Sequence, residues 1–151
     1  MTNEELQSYL TERFTEAEIK LGTQYVEMTV TAAALHETAL QLKKLDKLSF
    51  DYLFCLTGVD YAENMGIVYH LESVEHRHTM VLKARTADRV SPALDTVSDV
   101  WITAKYHERE AYDLLGIHFN NHTDLRRMFL DDSWGFPLRK DYVDEVRIVE
   151  R

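Results

Sequence analysis

The chain has 151 residues, of which 45% are hydrophobic, and a formal net charge of −9. This length suits one hydrophobic core and is short for two domains, and the negative field disfavours binding to phosphate backbones, so nucleic acid is not an expected partner. The single cysteine, Cys55, excludes an internal disulfide and cannot by itself hold an iron–sulfur cluster or a thiolate zinc site.

No apolar run approaches the roughly 18 residues of a membrane-spanning helix. The start, MTNEELQSYLTERF, is acidic and unlike a secretory signal peptide. We therefore expect a chain that is cytoplasmic, or bound to a membrane only indirectly, through partners.

The N-terminal third predicts a helix, a strand and a second helix. Thr2 and Glu5 form a capping-box pattern, and Gly22 is a stop signal. Between them an apolar stripe with helical spacing predicts a first helix that continues through Leu21. Residues 24–30 alternate and predict a half-buried strand. Thr31 then caps a second helix. The expected inward residues are Leu6, Leu10, Phe14, Ala17 and Leu21, then Val26, Met28 and Val30, then Leu35, Ala39 and Leu42.

The middle of the chain predicts three neighbouring antiparallel strands, at residues 48–61, 66–74 and 78–85, separated by turn-like segments. Cys55 lies in the first of them and is expected to be a small core residue. Ser91 and Pro92 predict the start of another helix, with Leu94, Val97 and Trp101 as its apolar stripe.

A further helix is predicted over residues 104–115, ended by Gly116. Beyond it, turn formers and charges dominate. The predicted architecture is α+β and two-layered: an antiparallel or mixed sheet covered by helices. We expect one domain at residues 1–136 and an extended, partner-binding tail at residues 137–151, which has few local contacts and is mobile without a partner.

Histidines and carboxylates near this helix are the candidates for catalytic groups. His118 and His122, with Asp124, would serve a stand-alone metal-dependent hydrolase, but the two histidines follow a helix stop, so they do not share a helical face. Glu108 and Glu110 point about 200° apart on a helix and cannot share one substrate proton. These charges therefore favour a structural network.

Glu108 and Tyr112 share a helical face, as do Arg109 and Asp113. A basic group could bind an anionic ligand or could pair with nearby acids; no glycine-rich phosphate loop accompanies it. The aromatic residues among these charges are types that dominate protein interfaces, and a homodimeric binding module is a further alternative. The basic residues are Arg126, Arg127, Arg139 and Lys140, and the aromatic ones are Trp134, Phe136 and Tyr142.

The run HEREAYDLLGIHF, from His107 to Phe119, resembles the signature of the C subunit of NADH-quinone oxidoreductase, the 30 kDa subunit family of respiratory complex I. The resemblance continues over some thirty-five positions, although Val143 stands where a proline is common and the stretch between Arg127 and Pro137 is short. The matching residues include Glu108, Arg109, Glu110, Tyr112, Asp113 and Gly116, then His122, Asp124, Arg126 and Arg127, then Pro137, Arg139, Lys140, Asp141 and Tyr142.

The resemblance implies a cofactor-free subunit of the peripheral arm, on the cytoplasmic side of the cell membrane. Its implied partners are the D subunit, which carries the quinone site, and the iron–sulfur B and I subunits. NAD, FMN, iron–sulfur clusters and quinone would be bound elsewhere in a proton-translocating complex, and this chain would be non-catalytic alone. A related membrane-bound hydrogenase or another complex I-like enzyme is the alternative host.

Overall fold

A computed structural model describes residues 1–144. It has three α-helices and, before the second, a 3₁₀ turn at Ala32–Ala34. The helices are α1 (Asn3–Arg13), α2 (Leu35–Lys44) and α3 (Ala104–Leu115). The strands are β1 (Glu18–Leu21), β2 (Val26–Thr31), β3 (Tyr52–Asp60), β4 (Met65–Ser73), β5 (His78–Arg85), β6 (Ala93–Asp95) and β7 (His118–Asn120).

Five strands form one mixed sheet in the order β1-β2-β5-β4-β3. All neighbours are antiparallel except β2 and β5, which run parallel. β6 and β7 form a separate parallel pair. The α+β class and the prediction of three neighbouring antiparallel strands are confirmed.

One face of the sheet carries the core. Met28, Leu82, Tyr69 and Leu56 lie side by side across four strands, and all are buried. This row follows from the strict alternation of β2, which places Val26, Met28 and Val30 inward as predicted. Helix α3 approaches the sheet closely at Gly58, where an added Cβ would lie 2.5 Å from Leu115 Cδ1.

The prediction of a first helix reaching Leu21 is wrong beyond Arg13. The backbone N–H of Phe14 caps the helix by donating to Leu10, and the chain then turns into β1. The residues of β1 pair antiparallel with β2, from Glu18 opposite Thr29 to Leu21 opposite Val26. Sheet pairing thus overrides a helical spacing that Ala17 and Leu21 had extended by coincidence.

The predicted helix after Pro92 is also wrong. Leu94 lies in β6 opposite Phe119 of β7, and the segment then turns at Val97. Leu94, Val97 and Trp101 are buried as predicted. The backbone N–H of Val97 donates to the Glu108 carboxylate, so a distant side chain replaces a helical hydrogen bond.

Cys55 is only half-buried and does not belong to the core. The pairing of β3 with β4 shifts between Leu53 and Cys55. Because of this irregularity, the side chains of Leu53 and Leu56 both point inward although they are three residues apart. The Cys55 thiol instead lies 3.5 Å from the Thr57 hydroxyl.

Helix α3 has the predicted bounds, and Gly116 ends it in the left-handed conformation, with φ +71°. Within residues 1–144, none of the helices has the length and apolar character needed to cross a membrane.

Candidate functional site: helix α3 and the segment it holds

Helix α3 presents charged side chains to the interior of the protein. Glu108 and Asp113 are fully buried, and Arg109 is 7% exposed. Burial of charged groups at this level requires partners, because an unpaired buried charge is strongly destabilising. Their partners define what the helix does.

Arg109 holds the loop that follows β7. Its guanidinium donates through Nε to the carbonyl of Arg126 (3.2 Å) and through Nη2 to that of Arg127 (3.1 Å). The anticipated Arg109–Asp113 ion pair is not among the contacts of the described residues. Both side chains instead point from one helical face to the same loop.

Asp113 anchors the other side of that loop. Its Oδ2 accepts three successive backbone N–H groups, at 3.1, 2.6 and 3.2 Å, and its Oδ1 lies 3.2 Å from Arg127 Nη1. Burial alone would raise the pKa of Asp113, but these hydrogen bonds outweigh it and hold the pKa below its ordinary value. The three donors are Met128, Phe129 and Leu130.

Glu108 lies in a different environment, against the residues that directly follow β6. Its Oε1 accepts the N–H of Val97 (2.8 Å), and its Oε2 lies 2.5 Å from the hydroxyl of Thr96. Burial raises the pKa of Glu108 to about 7, although both hydrogen bonds act in the opposite direction. This carboxyl group therefore titrates near neutral pH.

His122 and Tyr69 complete the surroundings of Glu108. His122 Nδ1 accepts the N–H of Asp124 (3.0 Å), so its other ring nitrogen, Nε2, carries the proton and donates it to the carbonyl of Lys105 (2.9 Å). The same Nε2 lies 3.7 Å from Glu108 Oε2. Burial, and secondarily the Glu108 charge, raises the pKa of Tyr69 well above its ordinary value. Its hydroxyl makes no hydrogen bond with the described residues.

Glu110 lies on the opposite side of α3 and is exposed, so the two glutamates are separated as helix geometry predicts. Tyr112 is half-buried, and its ring centroid lies 6.3 Å from that of Phe136. The helix therefore sorts its charges into an inner set and an outer one.

Phe136 joins the end of α3 to the tail. Two guanidinium groups lie over its ring, with Cζ of Arg127 at 5.1 Å and Cζ of Arg139 at 5.0 Å from the ring centroid. A Cβ on Gly116 would lie 2.6 Å from this ring. The basic residues thus have intramolecular roles, since Arg139 also donates to the carbonyl of Leu115 and Arg127 to that of Trp134.

Sequence reasoning missed the anchor formed by Asp60 and Arg89. The Asp60 carboxylate accepts the N–H of Lys140 (2.8 Å) and lies 2.7 Å from Arg89 Nη2, which also reaches Asp141 at 3.1 Å. Burial would raise the pKa of Asp60, but its hydrogen bonds and Arg89 lower it overall. Asp60 is the last residue of β3 and lies 29 residues from Arg89 in sequence, so no local pattern indicates their pairing.

Further hydrogen bonds involve the start of the predicted tail. Leu138 N–H donates to the carbonyl of Leu114, and Tyr142 N–H to that of Arg139. Contrary to the expectation of few local contacts, the described part of the tail contacts the domain. Residues 145–151 of the predicted tail lie outside the described residues.

The suggested histidine metal site is not assembled. His118 is exposed, whereas both ring nitrogens of His122 are engaged in the interior. Asp124 pairs instead with Arg126, at 2.9 Å. Throughout residues 1–144, no group of three or more histidine, cysteine or acidic residues has an arrangement suited to a metal ion.

Pro137 is half-buried, and so are the two remaining aromatic residues of the signature. The Tyr142 ring lies beside Gly135, where a Cβ would approach it to 3.1 Å. Trp134 N–H donates to the carbonyl of Asp131. The structure thus gathers the signature residues around α3 and the start of the tail.

A family model and individual relatives of known sequence agree on one protein family for this chain. Residues 28–146 match the family model described as respiratory-chain NADH dehydrogenase, 30 Kd subunit. The chain is 47% identical over 119 residues to the NADH-quinone oxidoreductase C/D subunit of Phocaeicola vulgatus, with 78% of this chain covered. It is 43% identical over 112 residues, or 72% of the chain, to the C subunit of Chloroherpeton thalassium. The matches span only 22% and 46% of these relatives.

Two solved structures share the fold. A chain of an archaeal membrane-bound sulfane sulfur reductase has a TM-score of 0.81 and 26% identity, covering 97% of this chain and 88% of that one. A trypsin-resistant fragment of Nqo5 has a TM-score of 0.69 and 28% identity, covering 80% and 98% respectively.

Proposed function

Because this chain belongs to the 30 kDa subunit family of respiratory-chain NADH dehydrogenases, we propose that it is a cofactor-free brace in the peripheral arm of a proton-translocating NADH-quinone oxidoreductase. The observation that carries this proposal is the use of the α3 charges. The Arg109 and Asp113 side chains are both engaged by backbone groups of the loop at residues 126–130. Such a network fixes a surface and performs no evident chemistry.

The D subunit is the first proposed partner. The relative in Phocaeicola vulgatus is named C/D, so its name joins C and D in one protein. Joining two polypeptides places them at high effective concentration, which suits partners that pack together. Contact with the iron–sulfur B and I subunits is proposed from the family resemblance.

The redox groups are proposed to reside in those neighbours. NAD, FMN, the iron–sulfur clusters and quinone each require a dedicated site, and one cysteine is too few for an iron–sulfur cluster. The chain would then reach the cytoplasmic side of the membrane only as part of the complex.

Co-purification tests this role. A tagged chain would be isolated from its native membranes, and its partners identified by mass spectrometry and assayed for NADH-quinone reductase activity. We expect the D, B and I subunits in the fraction. Recovery of the chain without any of them would overturn the proposal.

A complex related to the sulfane sulfur reductase is the second candidate host. It is favoured by the archaeal structural neighbour, whose similarity extends over 97% of this chain. The electron-input subunits discriminate the two hosts: NADH-oxidising partners indicate complex I, and their replacement by other electron-input subunits indicates the alternative.

The bracing role predicts a defect in assembly for Arg109→Ala. Loss of the guanidinium leaves the carbonyl groups of Arg126 and Arg127 without this donor, so the loop loses its anchor. We expect less intact complex but unchanged turnover for each complex formed. Arg126→Ala is the matched control, because its ion pair with Asp124 is largely exposed. Normal complex levels with abolished electron transfer would contradict a bracing role.

A further inference from the structure

The two edges of the five-stranded sheet differ in how they are protected. β1 is a four-residue strand, with Lys20 paired to Glu18 at 2.6 Å, and short charged edges resist further pairing. β3, at the other edge, has nine residues and contains neither lysine nor proline. It is therefore the better template for another strand.

The hydrogen-bond alternation of β4 shows which β3 groups face outward. Met65 and Ser73 direct their carbonyls to the β5 side, to Thr86 and Arg77. Residues between them at even numbers consequently bond to β3, where their partners are Cys55, Thr57 and Val59.

The backbone N–H and C=O groups of Leu56 and Gly58 therefore point outward from the edge of the sheet, on the side opposite β4. Consistently, the carbonyl of Leu53, before the irregularity, accepts a hydrogen bond from the Thr103 hydroxyl outside the sheet. Within residues 1–144, no backbone hydrogen bond joins the outward groups of Leu56 or Gly58 to another segment.

A groove runs between this edge and α3. It has a volume of about 90 Å³, and its walls are Leu56 and Gly58 on one side and Glu110, Ala111 and Leu114 on the other. Leu138, which is 60% exposed, borders it. A strand added to β3 could place one apolar side chain in this groove.

The charge of the groove indicates the chemistry of its occupant. Glu110 is exposed and has no ion pair with the residues that the structure describes. The whole chain carries a net charge of −9, which attracts basic segments. A basic residue flanking an apolar one would match Glu110 and the groove together.

We propose that β3 and the groove beside α3 bind an extended segment of a neighbouring subunit, which adds a strand through Leu56 and Gly58 and bears an apolar residue next to Lys or Arg. This rests on the proposed function, because the neighbour is a subunit of the complex. The interaction extends the sheet by one strand, with Glu110 as its ionic contact.

Hydrogen exchange on the purified complex and on the isolated chain tests this inference. The amides of Cys55, Thr57 and Val59 already bond to β4 and should exchange slowly in both samples. Those of Leu56 and Gly58 should slow by at least about tenfold in the complex alone. If the chain co-purifies while these two amides stay unprotected, this inference fails and the proposed function survives; absence of the chain from the complex overturns the proposed function.

Two other occupants would also overturn the inference. Protection in the isolated chain that disappears on truncation after Asp144 would indicate the chain's own C-terminus. Protection that grows with the concentration of the isolated chain would indicate a second copy.

Charge reversal supplies an independent variant. Glu110→Lys should lower the yield of intact complex severalfold and restore fast exchange at Leu56 and Gly58. Glu12→Lys, at an exposed position of α1, is the matched control with the same change in charge. Thermal unfolding of both isolated variants verifies that each still folds. Equal complex yields for the two variants would remove Glu110 from the interface and overturn the proposed ionic contact.

Discussion

Individual residues of α3 show how buried charge is accommodated here. Asp113 meets four donors, so its charged form is stabilised despite burial. Glu108 has two hydrogen bonds, too few to offset burial, and its pKa rises to about 7. The pKa values of two carboxyl groups five residues apart on one helix are therefore shifted in opposite directions.

Glu108→Gln should remove a pH dependence of stability. The folded-state pKa lies above the ordinary value of 4.5, so the protonated form stabilises the fold. This contribution is full below pH 4.5 and is lost as pH rises through about 7. Relative to the variant, the wild-type chain should lose about 2 to 3 kcal/mol of unfolding free energy between pH 5 and 8.

Urea unfolding of both proteins across this range measures the effect. The comparison cancels the contribution of His78, whose pKa is lowered by burial and which acts with the opposite sign. A wild-type-to-variant difference that is constant from pH 5 to 8 would contradict the role assigned to Glu108.

Asp113→Ala should destabilise the chain and release the loop it anchors. Three backbone N–H groups and the Arg127 guanidinium lose their acceptor, which in a buried site costs about 3 kcal/mol or more. Denaturant unfolding and hydrogen exchange at residues 128–130 measure the two effects. The exposed Asp132→Ala variant should change neither. Unchanged exchange at these amides would refute the anchoring role.

Among the secondary-structure elements, α3 ends where both the backbone and a neighbouring ring require glycine. Gly116 has φ +71°, a conformation that is strained for residues with a side chain. It also lies close to the Phe136 ring, over which the guanidinium groups of Arg127 and Arg139 lie. The helix end and the start of the tail are thus built as one unit.

Gly116→Ala should therefore cost more than backbone strain alone, about 1 to 3 kcal/mol in total. A Cβ would lie 2.6 Å from the Phe136 ring. A double-mutant cycle with Phe136→Ala separates the contributions, because removal of the ring should recover the steric part and leave the strain. Additive effects of the two substitutions would show that the close approach is unimportant.

Across the entire fold, the Asp60 carboxylate ties the tail to the far end of β3. Asp60→Ala removes the acceptor for Lys140 N–H and for Arg89. We expect trypsin to cleave the isolated variant faster after Arg139 and Lys140, because cleavage requires local opening of the chain.

Asp51→Ala is the matched control for that experiment. Asp51 lies just before β3 and accepts the N–H of Val74, at a site remote in sequence from the tail. It should leave cleavage after Arg139 and Lys140 unchanged. Equal rates for all three proteins would indicate that Asp60 does not hold the tail.

Some elements could be predicted from the amino-acid sequence alone, because the pattern that specifies each of them lies within its own segment. Alternation in β2, the bounds of α3 and the stop at Gly116 follow from the periodicity of each segment and from glycine's backbone freedom. The family, too, was recognisable from residues 107–142. Helix geometry alone predicts that the side chains of Glu108 and Glu110 point to opposite sides of α3.

Elements that depend on distant partners became visible only in the folded chain. β1 forms because β2 offers an edge, and the segment after Pro92 turns because Glu108 accepts the N–H of Val97. The Asp60–Arg89 anchor likewise joins residues far apart in sequence, with no local pattern to indicate it. Local spacing specifies which residues are apolar, but the choice between helix and strand at a short segment depends on which hydrogen-bond partner the rest of the chain places nearby.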